Sequence, residues 1–256
     1  MMSLRDRIHS GATVLGTWLT LPVPALGELV AAAGFDFVTV DLEHSALSVA
    51  EAGALIQAID LGGAAPLVRL SSCDAVQIKR VMDSGAHGII VPMVNDRATV
   101  EAAHAAMHYP PRGRRGVGLS RAQGWGERFD AYRDWLDSHA VLIAQIEHRD
   151  ALDDLDGIIG NGLIDGILVG PYDLSASYGL PGQLDHPTVS AARARIRSAA
   201  AAHGVAAGIH VVEPDPALLR QRRDEGFRLI AYSVDFRMVA VAARRGLAAL
   251  DREPRG

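Results

Sequence analysis

The chain has 256 residues, enough to bury a large core in one domain or two small ones. Its 25 basic and 30 acidic residues leave a net charge of −5, so no positive field is present to hold nucleic acid. The one cysteine, Cys73, excludes an internal disulfide and any multi-cysteine zinc site, and no apolar run reaches the roughly 18 residues of a membrane-spanning helix. A cytoplasmic protein with no membrane partner is expected, and of its 25 basic residues only Lys79 is lysine.

In chain order, short apolar or β-branched runs alternate with alanine-rich helical patterns, as in βα units around a parallel sheet. The predicted strands are Thr13–Trp18, Phe37–Asp41, Pro66–Arg69, Gly88–Pro92, Val141–Ile146, Gly166–Val169, Val205–Ile209 and Leu229–Ser233. Helical patterns fall at Pro24–Ala33, Ser48–Ile59, Asp74–Ser84, Asp96–Met107, Phe129–Ser138, Asp150–Ile159, Pro187–His203, Pro216–Glu225 and Phe236–Leu250. Caps mark several starts: Ser48 with Glu51, Asp74 with Gln77, and Asp215 before Pro216. The long stretch Tyr109–Glu127, rich in Gly, Arg and Pro, reads as a functional loop or a contact with another chain. Eight strands and at least eight helices in this length predict an α/β fold, a single-domain (β/α)8 TIM barrel over residues 1–256. A doubly wound open sheet is the rival, but Leu19-Thr20-Leu21-Pro22-Val23-Pro24 after the first strand contains no glycine for a dinucleotide turn.

The active site of such a barrel lies at the C-terminal strand ends. Asp41, Glu43 and His44 follow the second strand, Arg69 ends the third, Gln145 and Glu147 close the fifth, Tyr172 and Asp173 follow the sixth, and His210 follows the seventh. Glu147 and Asp173 can share a hard divalent cation, or each can cap the helix that follows it. His44 reads as a general base whose tautomer Asp41 could hold, or as a histidine satisfied within its loop. Arg69 reads as a clamp for a carboxylate or developing negative charge, or as an ion-pair partner of Asp41 or Glu43. Val169–Ser175 resembles a strand turning into a helix start able to bind an anion. A carboxylate fits that anion better than a phosphate, because Ile209-His210-Val211 and Ser233-Val234-Asp235 lack the glycines of a phosphate site.

Taken together, Gly34-Phe35-Asp36, Asp41-Leu42-Glu43-His44, Val68-Arg69, Gln77-Ile78-Lys79 and Val91-Pro92-Met93-Val94 resemble the HpcH/HpaI aldolases. Tyr109-Pro110-Pro111, Arg114-Arg115-Gly116-Val117-Gly118, Gln145-Ile146-Glu147 and Gly170-Pro171-Tyr172-Asp173-Leu174-Ser175 extend the resemblance over almost the whole chain. It implies a metal-dependent aldolase, a carbon–carbon lyase that cleaves a 4-hydroxy-2-oxo acid to pyruvate or hydroxypyruvate and an aldehyde. Glu147 and Asp173 would hold Mg²⁺ or Mn²⁺, with Co²⁺ or Zn²⁺ as alternatives, and Gln145, Asp173 and the Tyr172 backbone would contact the 2-oxo acid. His44 would be the base, Arg69 would stabilise the transition state, and Asp83 would raise the basicity of the histidine. Asp83 falls toward the opposite barrel end, so it would reach His44 only of another subunit. That agrees with the homohexamers implied by the resemblance, in which the C-terminal helix packs on a neighbouring barrel. His210 stands where relatives usually present an apolar residue toward the aldehyde; it would touch a hydroxylated acceptor or simply bond a neighbouring loop. Two other functions stay open: a citramalyl-CoA or malyl-CoA type lyase, with Arg112, Arg114 and Arg115 as its basic groove, and a noncatalytic barrel that binds a 2-oxo acid.

Overall fold

The computed structural model describes residues 2–250. Eight parallel strands close on themselves in sequence order, β1 pairing with both β2 and β8, so among the described residues the barrel has no free strand edge. They are β1 (Val14–Leu19), β2 (Phe37–Asp41), β3 (Ala65–Arg69), β4 (Gly88–Val91), β5 (Val141–Ile146), β6 (Gly166–Val169), β7 (Ala206–Val211) and β8 (Leu229–Val234). The helices are α1 (Leu4–His9), α2 (Pro24–Ala32), α3 (Val49–Leu61), α4 (Ala75–Asp83), α5 (Arg97–Met107), α6 (Phe129–His139), α7 (Leu155–Ile159), α8 (Pro171–Ser177), α9 (Pro187–Ala202), α10 (Pro216–Asp224) and α11 (Asp235–Ala248).

Two buried apolar layers hold this arrangement. The outer one joins strand to helix through residues such as Val38, Val40, Leu55, Ile78, Ile89, Ile146, Ile167 and Ile196. The inner one fills the barrel with Val14, Trp18, Phe37, Leu67, Ile90, Ile143, Leu168 and Leu229, and Ile8 of α1 joins it. The strand period of two generates both layers from one sequence. A side chain at Gly16 would collide with the Phe37 ring, about 2.2 Å from where its Cβ would lie, so the glycine makes room for the aromatic filling.

Local chemistry sets the helix starts. Ser48 and Glu51 form a reciprocal capping box on α3, and Asp215 caps α10 ahead of Pro216. Asp74 caps α4 through the Gln77 N–H, but the Gln77 side chain turns to the Ser71 N–H instead of completing a box. The pattern at Asp150–Ile159 divides into a 3-10 segment, Arg149–Asp154, and α7, because Asp154 leaves helical geometry and its carboxylate accepts the Arg97 N–H at 2.9 Å. Helices α1 and α8 complete the chain beyond the nine predicted patterns, and the long loop contains a 3-10 turn at Arg121–Gln123. Among the described residues no helix is long and apolar enough to cross a membrane.

Candidate active site

The same strand period that fills the barrel also aims its top layer. Trp18, Asp41, Arg69, Gln145 and His210 each stand two residues beyond a lumen position, so their side chains meet at the C-terminal mouth. There they line a cavity of about 430 Å³ with His44, Glu147, Gly170, Pro171, Tyr172, Asp173, Val212, Val234 and Phe236. One space therefore gathers every side chain singled out for metal, substrate and base roles, with Asp83 outside it.

Arg69 and Asp41 are register partners on adjacent strands, which sets their side chains face to face. Nε and Nη2 of Arg69 donate to the two Asp41 oxygens at 2.9 and 2.6 Å, and Nη1 stands 3.1 Å from Glu43 Oε2. The guanidinium carbon lies 4.4 Å from the centroid of the Trp18 ring, which supports the plane of the fork. Burial works to raise the Asp41 pKa, but the hydrogen bonds and charge of Arg69, with N–H groups of Glu43 and His44, hold it below the usual carboxylate range. Asp41 thus anchors Arg69 and the backbone of the following turn rather than the His44 ring. The nearest carboxylate to that ring is Glu43, 3.8 Å from Nε2, and the His44 side chain is 62% exposed.

Glu147 is buried just past β5. Its Oε1 accepts the Met93 N–H at 2.8 Å, and Gln145 Nε2 donates to Oε2. Met93 sits at φ 52°, a left-handed conformation costly for this residue type, and that turn directs its N–H at the carboxylate. Across the carboxylate lies Gly170, where an added Cβ would come within 2.5 Å of Glu147 Oε2. Burial pushes the Glu147 pKa up to about 7, against those two hydrogen bonds and aided by the charges of Glu43 and Asp173. Burial also raises Glu43 to about 7; Arg69 opposes this, and Asp41 and Asp173 add to it.

Asp41 and Glu43 flank the Arg69 guanidinium, Glu147 and Asp173 line the same cavity, and Gln145 Oε1 is buried without a partner. Hard oxygen donors with surplus negative charge fit a divalent cation. Among the described residues no three His, Cys, Asp or Glu side chains form a ready-made metal cluster. Glu147 and Asp173 would therefore hold such an ion with oxygen atoms from substrate and water.

The other predicted groups lie elsewhere. Asp83 ends α4 at the N-terminal end of the barrel, where its carboxylate receives Arg115 Nη2. Arg115 is itself fully buried, bonded to the Tyr132 hydroxyl at 3.0 Å and stacked over the Tyr109 ring. Arg112 binds Asp137, and Arg114 faces a groove with Lys79 and Cys73 between α4 and α5. Among the described residues none of these three arginines lines the mouth, and the one lysine supplies no amine for a Schiff base there.

Trp18, Met93 and Gly170 are functional neighbours that sequence reasoning gave no role. A bulky aromatic at the end of the first strand was the available signal for Trp18. The Met93 and Gly170 contacts depend on backbone geometry that no spacing reveals.

Residues 15–242 match the HpcH/HpaI aldolase/citrate lyase family. The chain belongs to this family. It is 36% identical over 237 residues to a hydroxypyruvate/pyruvate aldolase of Sagittula stellata, covering 92% of each chain. It is 38% identical over 243 residues to a 4-hydroxy-2-oxo-heptane-1,7-dioate aldolase of Salmonella arizonae, covering 94% of this chain and 91% of that one. A solved HpcH/HpaI aldolase/citrate lyase family protein from Burkholderia cenocepacia superposes with a TM-score of 0.92 at 31% identity, over 97% of this chain and 99% of the other. Within the HpcH/HpaI family, these likenesses make the chain an aldolase, a carbon–carbon lyase acting through a TIM barrel.

Proposed function

We propose that the enzyme reversibly cleaves a 4-hydroxy-2-oxo acid to pyruvate or hydroxypyruvate and an aldehyde, using a divalent cation, Mg²⁺ or Mn²⁺, held by Glu147 and Asp173. The observation that carries this reading is the convergence of Glu147, Asp173, Gln145, Arg69 and His44 on one cavity. A bound cation supplies positive charge that stabilises the enolate form of the 2-oxo acid. Arg69 adds to that stabilisation: three of its five N–H groups face Asp41 and Glu43, leaving two for the substrate. Gln145, fixed by its bond to Glu147, and the start of α8 at Tyr172 and Asp173 orient the 2-oxo acid. His44 takes the proton of the C4 hydroxyl, directly or through water, as the C3–C4 bond breaks, and returns it in the aldol direction.

The assembly belongs to the same proposal. Asp83 cannot serve His44 of its own barrel, and α11 leaves Phe236, Val239 and Leu247 exposed by 52, 60 and 43%. A homohexamer in which α11 packs on a neighbouring barrel and Asp83 meets a neighbour's mouth would account for both. A cytoplasmic setting suits the lone thiol and these small polar substrates.

The deciding experiment is a panel of aldehydes with pyruvate and with hydroxypyruvate, assayed after chelation and after return of each metal. Turnover should vanish on chelation, return with Mg²⁺ or Mn²⁺, and fall at least about 100-fold in Glu147→Gln. Undiminished turnover after exhaustive chelation would remove the cation from the proposal.

A further inference from the structure

The mouth cavity has two unlike sides. Strands β2, β3, β5 and β6 bring Asp41, Arg69, Gln145, Glu147 and Asp173, whereas the contiguous arc β7–β8–β1 brings Val212, Val234, Phe236 and Trp18. His210 and Thr20 are the polar exceptions on that arc. The His210 ring tilts against Trp18 with centroids 5.5 Å apart, and its Nε2 lies 3.1 Å from the Ser233 carbonyl oxygen.

That contact fixes the chemistry of the other nitrogen. A carbonyl oxygen only accepts, so Nε2 carries the proton. Burial, opposed by this same hydrogen bond, drives the ring's pKa down to about 4, and Arg69 disfavours its protonation further while Asp41 favours it. The ring is therefore neutral at pH 7, and Nδ1 bears a bare lone pair that no described protein group engages. The Ser233 carbonyl is held in place for this purpose by an unusual backbone: Ser233 has φ 56°, and its oxygen also meets the Thr17 hydroxyl at 3.4 Å. The nearby Thr20 hydroxyl is already donated to Asp235. His210 Nδ1 is thus a ring acceptor on this arc that asks for a donor, and Thr20 Oγ1, its proton already spent, has only acceptor capacity to offer beside it.

Carboxylate, keto and aldehyde oxygens cannot supply that donor, and the C4 hydroxyl gives its proton to His44 in the reaction assigned above, so the donor is a further hydroxyl. Building on the aldolase reading above, we infer that His210 selects substrates carrying an extra hydroxyl group by accepting its hydrogen bond at Nδ1. The hydroxyl belongs either to the 2-oxo acid, as in hydroxypyruvate, or to the aldehyde, and Ser233 is the positioning residue that keeps Nδ1 turned to the cavity.

Matched pairs differing by one hydroxyl separate the two sources: hydroxypyruvate against pyruvate with propanal as acceptor, and lactaldehyde against propanal with pyruvate as donor. In His210→Phe the kcat/KM preference for the hydroxylated member of one pair should fall roughly 3- to 10-fold, the worth of one neutral hydrogen bond, and the pair affected names the source. His210→Gln, which offers an amide oxygen, should restore part of it. Ratios unchanged in both pairs would overturn the inference. Nitrogen-15 spectra of the histidine rings in the metal-loaded wild-type enzyme give a readout independent of how the variants fold. The His210 signals, assigned by their loss in His210→Phe or His210→Gln, should show the Nε2–H tautomer, and Nδ1 should shift with hydroxypyruvate or lactaldehyde but not with pyruvate or propanal. An Nδ1–H tautomer, or equal shifts within each pair, would equally overturn it. If no pair gives aldol product while the ring still responds to the hydroxylated ligand, the reaction assigned above fails and the hydroxyl site stands.

Discussion

Glu147 is held from three directions: the Met93 N–H, the Gln145 side chain and the bare backbone of Gly170. Only the glycine contributes by what it lacks. Gly170→Ala would leave every charged group present yet press a methyl against Oε2, so the carboxylate must rotate or the turn must open. Metal affinity should fall about 10- to 100-fold, the range seen when supporting contacts around a ligand are disturbed. Calorimetric titration with Mn²⁺ checks this, and an unchanged affinity would place Glu147 outside the metal shell. Met93 and Ser233 show the same economy of means, since both adopt left-handed backbone so that a main-chain group faces a functional side chain.

At the scale of elements, the long loop after α5 is pinned from beneath. Arg115 joins it to α4 through Asp83 and to α6 through Tyr132, with the Tyr109 and Tyr132 rings on the guanidinium. Replacing Arg115 with Met should cost about 2 to 3 kcal/mol, less than the loss of a fully buried pair because the Asp83 side chain is 23% exposed. Urea unfolding gives the figure, and a double-mutant cycle with Asp83→Ala should return a coupling of at least about 1 kcal/mol. How much of this was readable from sequence differs by element. All eight strands lie within about two residues of their expected bounds, because β-branched runs between alanine-rich stretches carry the pattern directly. The grouping of His44, Arg69, Gln145, Glu147, Asp173 and His210 followed from one topological rule about strand ends. The Arg115–Asp83 pair did not, since its partners are 32 residues apart and meet only when the loop folds back. Helix α8 is short, and only its start was visible, in the run Val169–Ser175 that reads as a strand turning into a helix.

For the molecule as a whole, acid should be a selective stress. Burial pushes the His108 ring down to about 4 from an ordinary 6.5, although its bond to the His104 carbonyl works the other way. The unfolded chain therefore takes up a proton as pH drops through 6.5 while the folded one resists until about 4. Stability is lost progressively across that window, by roughly 3 kcal/mol for this residue once pH is below both values. His87 and His104 are lowered by burial in the same direction. In His108→Gln the urea midpoint should decline less steeply between pH 6.5 and 4.5 than in the parent, and parallel slopes would contradict the account. In the assembly proposed above, the exposed face of α11 would set another global property. Sedimentation should give a multiple of the protomer mass, and Val239→Glu with Leu247→Glu should shift the protein toward single chains.

The pairing of β1 with β8 has a consequence for how the protein comes into being. A ribosome releases β1 first and β8 last, so throughout synthesis the growing sheet carries two unsatisfied margins that only the final strand can join. The mouth is assembled on the same schedule: Asp41 and Arg69 emerge early, Glu147 and Asp173 midway, and His210 near the end. A nascent chain stalled before β8 would hold most of the chemical groups and lack the ring that aims them. Closure of the sheet and completion of the mouth thus both wait for the last strand, and shielding of those margins is needed most just before it.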